Sequence, residues 1–356
     1  MMLIHLCKAQ QELGLDVEVI SIGKKSDPEK PIEKKLASEG IPHKKWRMLP
    51  LPDFRESLKI VQYYQETGTN IIHSHGYKGN ILLGLLPKSR RRIPMISTVH
   101  GYTSGKKMGK MALYKMLDRY ALNRMDAVVL VSEGMRHQLP GNKLKDRLHI
   151  IPNGIPLDTP ENQNEPIEYF SDKDFKIGAL GRLSTEKNFE LLIRAMPYVL
   201  KEVPNARLVI YGEGQKRSEL EGLVKHLNLQ DYIFLPGYLD NSSRLYSQID
   251  VFVNCSLSEG MPITLIEAMK QSCMMVASDI PANRALLSKV LSGRLIVKLS
   301  EDSLSDKIIE VSQMQHSQAQ AAKDQAKKLF IETYTSDAMA RNYRGLYHSI
   351  NGSRQS

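Results

Sequence analysis

Ser258-Glu259-Gly260-Met261-Pro262-Ile263-Thr264-Leu265-Ile266-Glu267-Ala268-Met269 sets two carboxylates eight positions apart. Gly-Met-Pro follows the first, and an apolar run leads to the second. Just upstream, Asp250-Val251-Phe252-Val253-Asn254 is a short apolar run after a turn residue, which predicts a buried parallel strand. Pro262 suits the opening of a helix, where its missing N–H costs nothing. Glu259 is therefore expected in the loop at a strand's carboxyl end, and Glu267 about one and a half turns into the next helix. A helix start attracts an anion through its unpaired N–H groups. A carboxylate accepts two charge-assisted hydrogen bonds from a vicinal diol, each worth about 1.5–3 kcal/mol. One strand–loop–helix unit can thus meet an anion, sugar hydroxyls and a ribose diol. The same two acids also read as a dipole-favouring helix acid and an ordinary surface Glu, so the neighbouring segments must decide.

Outward from this stretch, strands and helices alternate, the pattern of doubly wound parallel sheets. Strands are expected at 175–181, 206–211, 232–235, 250–254, 274–277 and 294–299, with helices at 187–202, 215–228, 241–248 and 262–272. An earlier series has strands at 16–22, 70–75, 94–101, 126–131 and 147–151, and helices at 54–64, 80–86 and 107–123. Residues 158–173 are polar, contain proline and lack periodicity, which predicts a linker. Two Rossmann-like halves follow, 1–157 and 174–330, facing across a cleft where ligands meet the carboxyl ends of the strands. The tail over 301–350 is helical in pattern, and its last part, 331–356, is expected to return to the first half.

A chain of 356 residues can hold two domains with substantial cores. Cys7, Cys255 and Cys273 lie in apolar contexts without metal or redox spacing, which fits a reducing cytosol. No apolar run approaches the length of a membrane span. Charge is unevenly shared: residues 1–157 hold 26 Lys/Arg against 14 Asp/Glu, a balance of +12, and the remainder holds 23 against 25. Clusters at Lys44-Lys45-Trp46-Arg47, at Lys88-Ser89-Arg90-Arg91-Arg92, and at Lys106, Lys107, Lys110 and Lys115 suit a solvated face, an acidic substrate or an anionic membrane surface. Nucleic acid is disfavoured, since aromatics are only 6% and no binding signature is present.

The motifs assemble in order. Gly181-Arg182-Leu183-Ser184-Thr185-Glu186-Lys187-Asn188, Tyr211-Gly212-Glu213-Gly214, and Glu259-Gly260-Met261-Pro262 with Glu267-Ala268-Met269 resemble the family 4 glycosyltransferases of the GT-B fold. His100-Gly101 after a strand and Ile151-Pro152-Asn153-Gly154-Ile155 at the hinge match the same family, so the resemblance covers almost the whole chain. It implies transfer of a sugar from a nucleotide-diphosphate sugar to a glycan or lipid-linked acceptor, with retention at the anomeric carbon and neither cofactor nor metal. By family position Arg182 and Lys187, with the Gly260-Met261 backbone, serve the donor phosphates, and Glu267 holds the ribose hydroxyls. Glu259 holds the donor sugar, and the 233–238 segment, through Phe234, Pro236 and Gly237, walls the base. His100 is the residue of the first half assigned to the donor sugar or the transition state. Two cations beside a leaving diphosphate would oppose the charge that develops there.

Other signals point elsewhere. His73 and His75 alternate on a strand and can share one face, a spacing compatible with a metal, though a strand end near the acceptor is the simpler reading. Asp172-Lys173-Asp174 falls in the linker and reads as solvated loop. Pro281-Ala282-Asn283-Arg284-Ala285 departs from the family, which has a glycine-containing loop and then a Glu there. The family also opens with a short strand and a glycine-rich loop, whereas Leu3 to Gly14 reads as the helix after that loop. A gap is therefore expected between the strands at 16–22 and 70–75. The setting the resemblance implies is cell-surface polysaccharide, lipopolysaccharide or glycolipid assembly, by a cytoplasmic enzyme peripheral on the inner membrane face. The rival from another class is a non-catalytic GT-B remnant binding nucleotide or a protein partner. A nucleotide-sugar epimerase of similar fold is a second rival, disfavoured by the Arg182, Lys187, Glu259 and Glu267 set.

Overall fold

The structure, a computed structural model, describes residues 2–49, 53–101, 110–139, 142–158, 166–296 and 298–352. It divides into two compact units, Met1–Gly154 with Ser336–Ser356, and Ile155–Thr335. The basic Lys106 and Lys107, and the expected start of the helix at 107, lie outside the described residues.

The first unit runs α1 (Met2–Glu12), β1 (Val19–Lys24), α2 (Pro31–Ser38), β2 (His43–Met48), α3 (Phe54–Glu66), β3 (Ile72–His75), α4 (Tyr77–Gly84), α5 (Lys88–Arg91), β4 (Met95–Val99), α6 (Lys110–Leu122), β5 (Ala127–Leu130) and β6 (Leu148–Ile150). Strands β3, β4, β5 and β6 form one parallel sheet in that order, and β1 with β2 forms a separate parallel pair. Every residue of β4 and β5 is buried, as expected where helices cover both faces of a parallel sheet. β1 and β3, between which the sequence leads us to expect a gap, belong to the two different sheets and do not pair among the described residues.

Two elements of this unit differ from the reading above. The stretch 44–47 is not merely a basic cluster but the middle of β2, and α2 precedes it. Their alternation was masked by charge. Lys44 Nζ lies over the Tyr63 ring, 3.8 Å from its centroid, a cation–π contact that ties a charged strand residue to α3. Arg47 turns toward α2, where Glu33 is fully buried. Glu33 accepts from Arg47 (2.7 Å), from Ser21 Oγ (2.5 Å) and from the Lys30 backbone N–H (2.9 Å). The guanidinium bond, with help from Ser21 and Lys30, holds its carboxyl down at about 2.

The second unit runs β7 (Phe175–Leu180), α7 (Phe189–Glu202), β8 (Ala206–Tyr211), α8 (Arg217–His226), β9 (Ile233–Gly237), α9 (Ser243–Tyr246), β10 (Val251–Asn254), α10 (Ile263–Lys270), β11 (Met274–Ser278), α11 (Pro281–Leu287), β12 (Gly293–Ile296), α12 (Glu301–Ser312) and α13 (His316–Thr333). Its six strands are all parallel, in the order β12-β11-β10-β7-β8-β9. The core on one face joins Ile177, Leu208 and Val253 of the strands to Leu192, Met196 and Val199 of α7 and to Ile308 of α12. The departure at 281–285 is the first turn and a half of α11, whose Arg284 forms a two-pronged pair with Asp279.

The chain crosses between units at Gly154/Ile155 and at Thr335/Ser336, not after 157 and before 331. Helix α13 continues to Thr333, and Ile155 forms a parallel bridge with Thr335, so both crossings leave the second unit side by side. The returning helix α14 (Ser336–Gly352) packs Met339, Tyr343 and Leu346 with Leu6 and Ala9 of α1 in the first unit's core. Residues 166–170, expected as linker, are built into the second unit. Ile167 is buried, and its N–H donates to Gln248.

Candidate functional site

β7 and β10 are neighbours, and from them the second sheet grows in opposite directions, to β8 and β9 on one side and to β11 and β12 on the other. Such a reversal opens a crevice at the carboxyl ends of the strands. The loops that leave β7 and β10 carry the charged residues singled out in the sequence.

The β7 loop is laid on the β8 loop. Gly181 N–H donates to Tyr211 C=O (3.0 Å), Leu183 N–H to Glu213 C=O (2.9 Å), and Lys216 N–H back to Leu183 C=O (3.0 Å). A side chain on Gly212, at φ +143°, would overlap the Gly181 carbonyl, and one on Gly214 would overlap that of Leu183. Glycine is required at both for two backbones to approach this closely. The β7 loop then meets the β10 loop, where Leu257 N–H donates to Glu186 C=O (2.8 Å).

Lys187 and Glu259 close that junction. Lys187 Nζ lies 2.6 Å from Glu259 Oε1, and Ser256 Oγ donates to the same oxygen at 2.7 Å. The Glu259 side chain keeps only 13% of its exposure. Arg182, in contrast, is exposed on the same loop. Gly260 and Met261 join Glu259 to Pro262, which caps α10.

Glu267 lies in the middle of α10. The phenol of the buried Tyr246 donates to its Oε2 at 3.0 Å. Burial pushes the Glu267 carboxyl above its usual range, against hydrogen bonds from Tyr246 and Ser242 and the more distant charge of Lys270. Burial, with the neighbouring Glu267 carboxylate, pushes the Tyr246 phenol well up in turn. Sequence reasoning missed Tyr246, Ser242 and Ser256. Tyr246 and Ser242 reach Glu267 only through the packing of a short helix, whereas Ser256 stands three residues before Glu259, a spacing the sequence does show.

Of the three residues expected to wall a base, Phe234 and Pro236 line one cavity and Gly237 ends the same strand. Gly237 ends β9 beside the glycine loops, its carbonyl accepting from Gly212 N–H at 2.7 Å. Phe234 lies three residues back and stacks on Tyr169, the ring centroids 4.9 Å apart. Phe234 and Pro236 line a cavity of about 540 Å³ with Tyr169, Glu221 and Lys225, along the edge strand.

In the first unit His100 follows β4, exposed at its rim. His75, ending β3, points Nδ1 at His100 Nε2 across 3.2 Å. The His73 ring lies 4.0 Å from that of His75, tilted by 36°, with Nδ1 against Tyr347 O–H and Nε2 against Thr98 Oγ1, both at 2.7 Å. Both His73 ring nitrogens are thus used, and among the described residues no group of three or more His, Cys, Asp or Glu could hold a metal ion. Burial lowers the pKa of His73, to about 3, and pushes that of His75 well down.

Two family models match successive stretches of the chain: Glycosyltransferase Family 4 over residues 1–159, and Glycosyl transferases group 1 over residues 161–329. The chain belongs to the family 4 glycosyltransferases. It is 26% identical over 294 residues to the alpha-monoglucosyldiacylglycerol synthase of Streptococcus pneumoniae, covering 73% of this chain and 66% of that protein. The chain thus spans just under two thirds of that relative's length. Among solved structures, a glycosyltransferase from Rickettsia africae superposes with a TM-score of 0.82 at 18% identity, covering 98% of this chain and 94% of that one. Anabaena HepE in complex with UDP superposes with a TM-score of 0.78 at 17% identity, covering 97% and 96%. These likenesses show the GT-B fold. The family's two models meet at residue 160, six residues beyond the structural division at Gly154.

Proposed function

We propose that this family 4 glycosyltransferase is a retaining enzyme. It moves a sugar from a nucleotide-diphosphate donor to a glycan or lipid-linked acceptor in cell-surface polysaccharide or glycolipid assembly, without a metal. The observation that carries the reading is that Arg182 and Lys187 follow β7 while Glu259 and Glu267 follow β10, the neighbouring strands at the reversal of one sheet, with Lys187 paired to Glu259. A ligand with an anionic centre and hydroxyls on both sides fits that set.

In this reading Arg182 and Lys187 oppose the negative charge growing on the leaving diphosphate, with the Gly260-Met261 backbone beside them. Lys187 exchanges Glu259 for phosphate oxygens, and Glu259 turns its acceptor capacity to the donor-sugar hydroxyls. Glu267, oriented by Tyr246, accepts from the ribose diol, so it works in its ionised form. His100, at the rim of β4 beside His75, acts as a hydrogen-bonding group toward the donor sugar. Gly237 stands nearest the base by its place at the end of β9. The diacylglycerol-based product named for the Streptococcus relative supports a lipid-linked acceptor. Such an acceptor resides in a bilayer, and the surplus of +12 over residues 1–157 suits the anionic inner face of a membrane.

Isothermal calorimetry of the chain against UDP, GDP and ADP tests the donor site. Micromolar binding of one of them, lost in Glu267→Ala, is the expected result. A folded chain that binds none would overturn the reading in favour of a non-catalytic protein of the same fold.

A further inference from the structure

Two neighbouring strands of the first unit lead to histidines at their carboxyl ends. His75 closes β3 and is followed by Gly76 at φ +112°, and His100 comes directly after β4 and is followed by Gly101 at φ +119°. Side chains two positions apart on a strand share a face. β3 therefore sets His73 beside His75, and β4 sets Thr98 in line with His100, with His75 in register with Thr98. The inner members are fixed from behind. His73 is held between Tyr347 and Thr98, Thr98 Oγ1 bonds in turn to Tyr343 O–H of α14 at 2.7 Å, and Gln10 of α1 donates to Tyr347 at 2.9 Å. With both nitrogens engaged, the His73 ring cannot turn without breaking a bond, so it backs His75 as a fixed wall.

The outer members share one bond. Among the described residues His100 is the only hydrogen-bond partner of the His75 ring, and His75 the only one of the exposed His100 ring. Burial keeps His73 and His75 neutral. A neutral imidazole has one N–H and one bare nitrogen, so a bond between His75 Nδ1 and His100 Nε2 needs a proton on only one of the two. In a free neutral histidine the proton favours Nε2, and one placement gives both rings that form. His100 Nε2–H donates to His75 Nδ1, and His75 keeps its own proton on Nε2. We propose that His75 is a positioning residue for His100: it accepts the Nε2 proton, fixes the ring and its tautomer, and leaves Nδ1 to accept from a hydroxyl of the donor sugar. The proposal rests on the reading of His100 given above and adds which nitrogen serves and what holds it.

The test is 15N NMR of the imidazole rings in the full chain, labelled at histidine, at pH 8, where an ordinary imidazole is neutral. The His100 signals are assigned by their loss in His100→Gln. In wild type they should show a pyrrole-like Nε2 and a pyridine-like Nδ1. His75→Asn sets an amide oxygen near the place of Nδ1 and should keep that pattern. His75→Phe, which fills the space, and His75→Ala, which empties it, should both let the tautomers of His100 interconvert and average the two shifts. Trp46 fluorescence reports that the first unit is folded in each. Calorimetry then compares UDP, GDP and ADP with UDP-glucose, GDP-mannose and ADP-glucose. The affinity added by the sugar should fall about fivefold in His75→Phe and return in His75→Asn, with nucleotide affinity unchanged. A His100 ring that stays fixed in His75→Phe and His75→Ala, that averages in wild type, or that carries its proton on Nδ1 would overturn the proposal. Nucleotide and nucleotide-sugar affinities that fall together would also overturn it, leaving His75 a packing residue. A chain that binds no nucleotide but shows the expected ring patterns would overturn the donor-site reading and leave His75 as the residue that fixes His100.

Discussion

Glu33 of the first unit and Glu267 of the second are both withdrawn from solvent, and they ionise in opposite directions. Glu33 has a guanidinium, a hydroxyl and a backbone N–H around it, and its pKa falls to about 2. Glu267 has two neutral hydroxyl donors and only a more distant lysine, so burial dominates and its pKa rises. The first carboxylate is satisfied by the fold and has nothing left to offer a ligand. The second is held in place but short of positive charge, the condition in which hydrogen bonds from a ligand are worth most. A buried acid therefore marks a site by what it lacks, and the two cases can be set against each other by substitution.

The largest effect is expected where the satisfied acid loses its partner. Arg47→Met strands a buried carboxylate and should destabilise the first unit by about 3–5 kcal/mol. Trp46, the chain's one tryptophan, reports that unit alone in a urea titration followed by fluorescence. The same probe should show an acid limb. Because the folded pKa of Glu33 is depressed, its contribution is complete above the ordinary value of 4.5 and is lost as pH falls from there toward about 2. A loss below about 1 kcal/mol for Arg47→Met would show that Glu33 is not the anchor its surroundings imply.

Glu267→Gln should behave in the opposite way. Removing a charge that burial disfavours should leave the second unit's melting temperature unchanged or raised. Nucleotide affinity should fall by about 2–3 kcal/mol, roughly 30- to 150-fold, through the loss of charge-assisted bonds to the ribose. Unfolding of the second unit by this substitution, with no selective loss of binding, would make Glu267 a structural acid like Glu33 and erase the contrast.

How much of this could be read in one dimension divides along the same line. The acids at 259 and 267 and the cations at 182 and 187 were singled out by motifs standing in the family's order, with a strand end and a helix phase to place the acids, whereas the close approach of Gly212 to Gly181 and of Gly214 to Leu183 joins two loops and was not readable along the chain. The alternation of strands and helices gave the second unit's sheet. Tyr246 was not legible, since nothing local separates it from other hydroxyl residues until packing brings it to Glu267, 21 positions away. Likewise, β2 was hidden because charged residues fill it, Lys44 meeting the Tyr63 ring through its ammonium, and Glu33 because its partner Arg47 comes from another element. The His73–Tyr347 contact spans 274 positions and joins the first unit's sheet to its last helix. No pattern of residues along the chain announces such a pair.

The smallest expected effect is also the most discriminating. Tyr246→Phe removes one neutral donor from Glu267 and should weaken nucleotide binding by only about 1 kcal/mol at pH 8. Its signature is the pH profile. In the wild type, binding should weaken on acidification as Glu267 takes up its proton, and this limb should lie above the ordinary carboxylate range because burial has raised the group. Losing the Tyr246 hydrogen bond, which favours the ionised form, should move that limb to higher pH. Ser21→Ala is the matched control. It removes a hydroxyl from Glu33, so it should raise the acid limb of the first unit's stability and leave the binding profile where it was. If both substitutions moved only stability, Glu267 would belong with Glu33. If Tyr246→Phe alone shifts the binding limb, the under-partnered carboxylate is the one that meets the ligand.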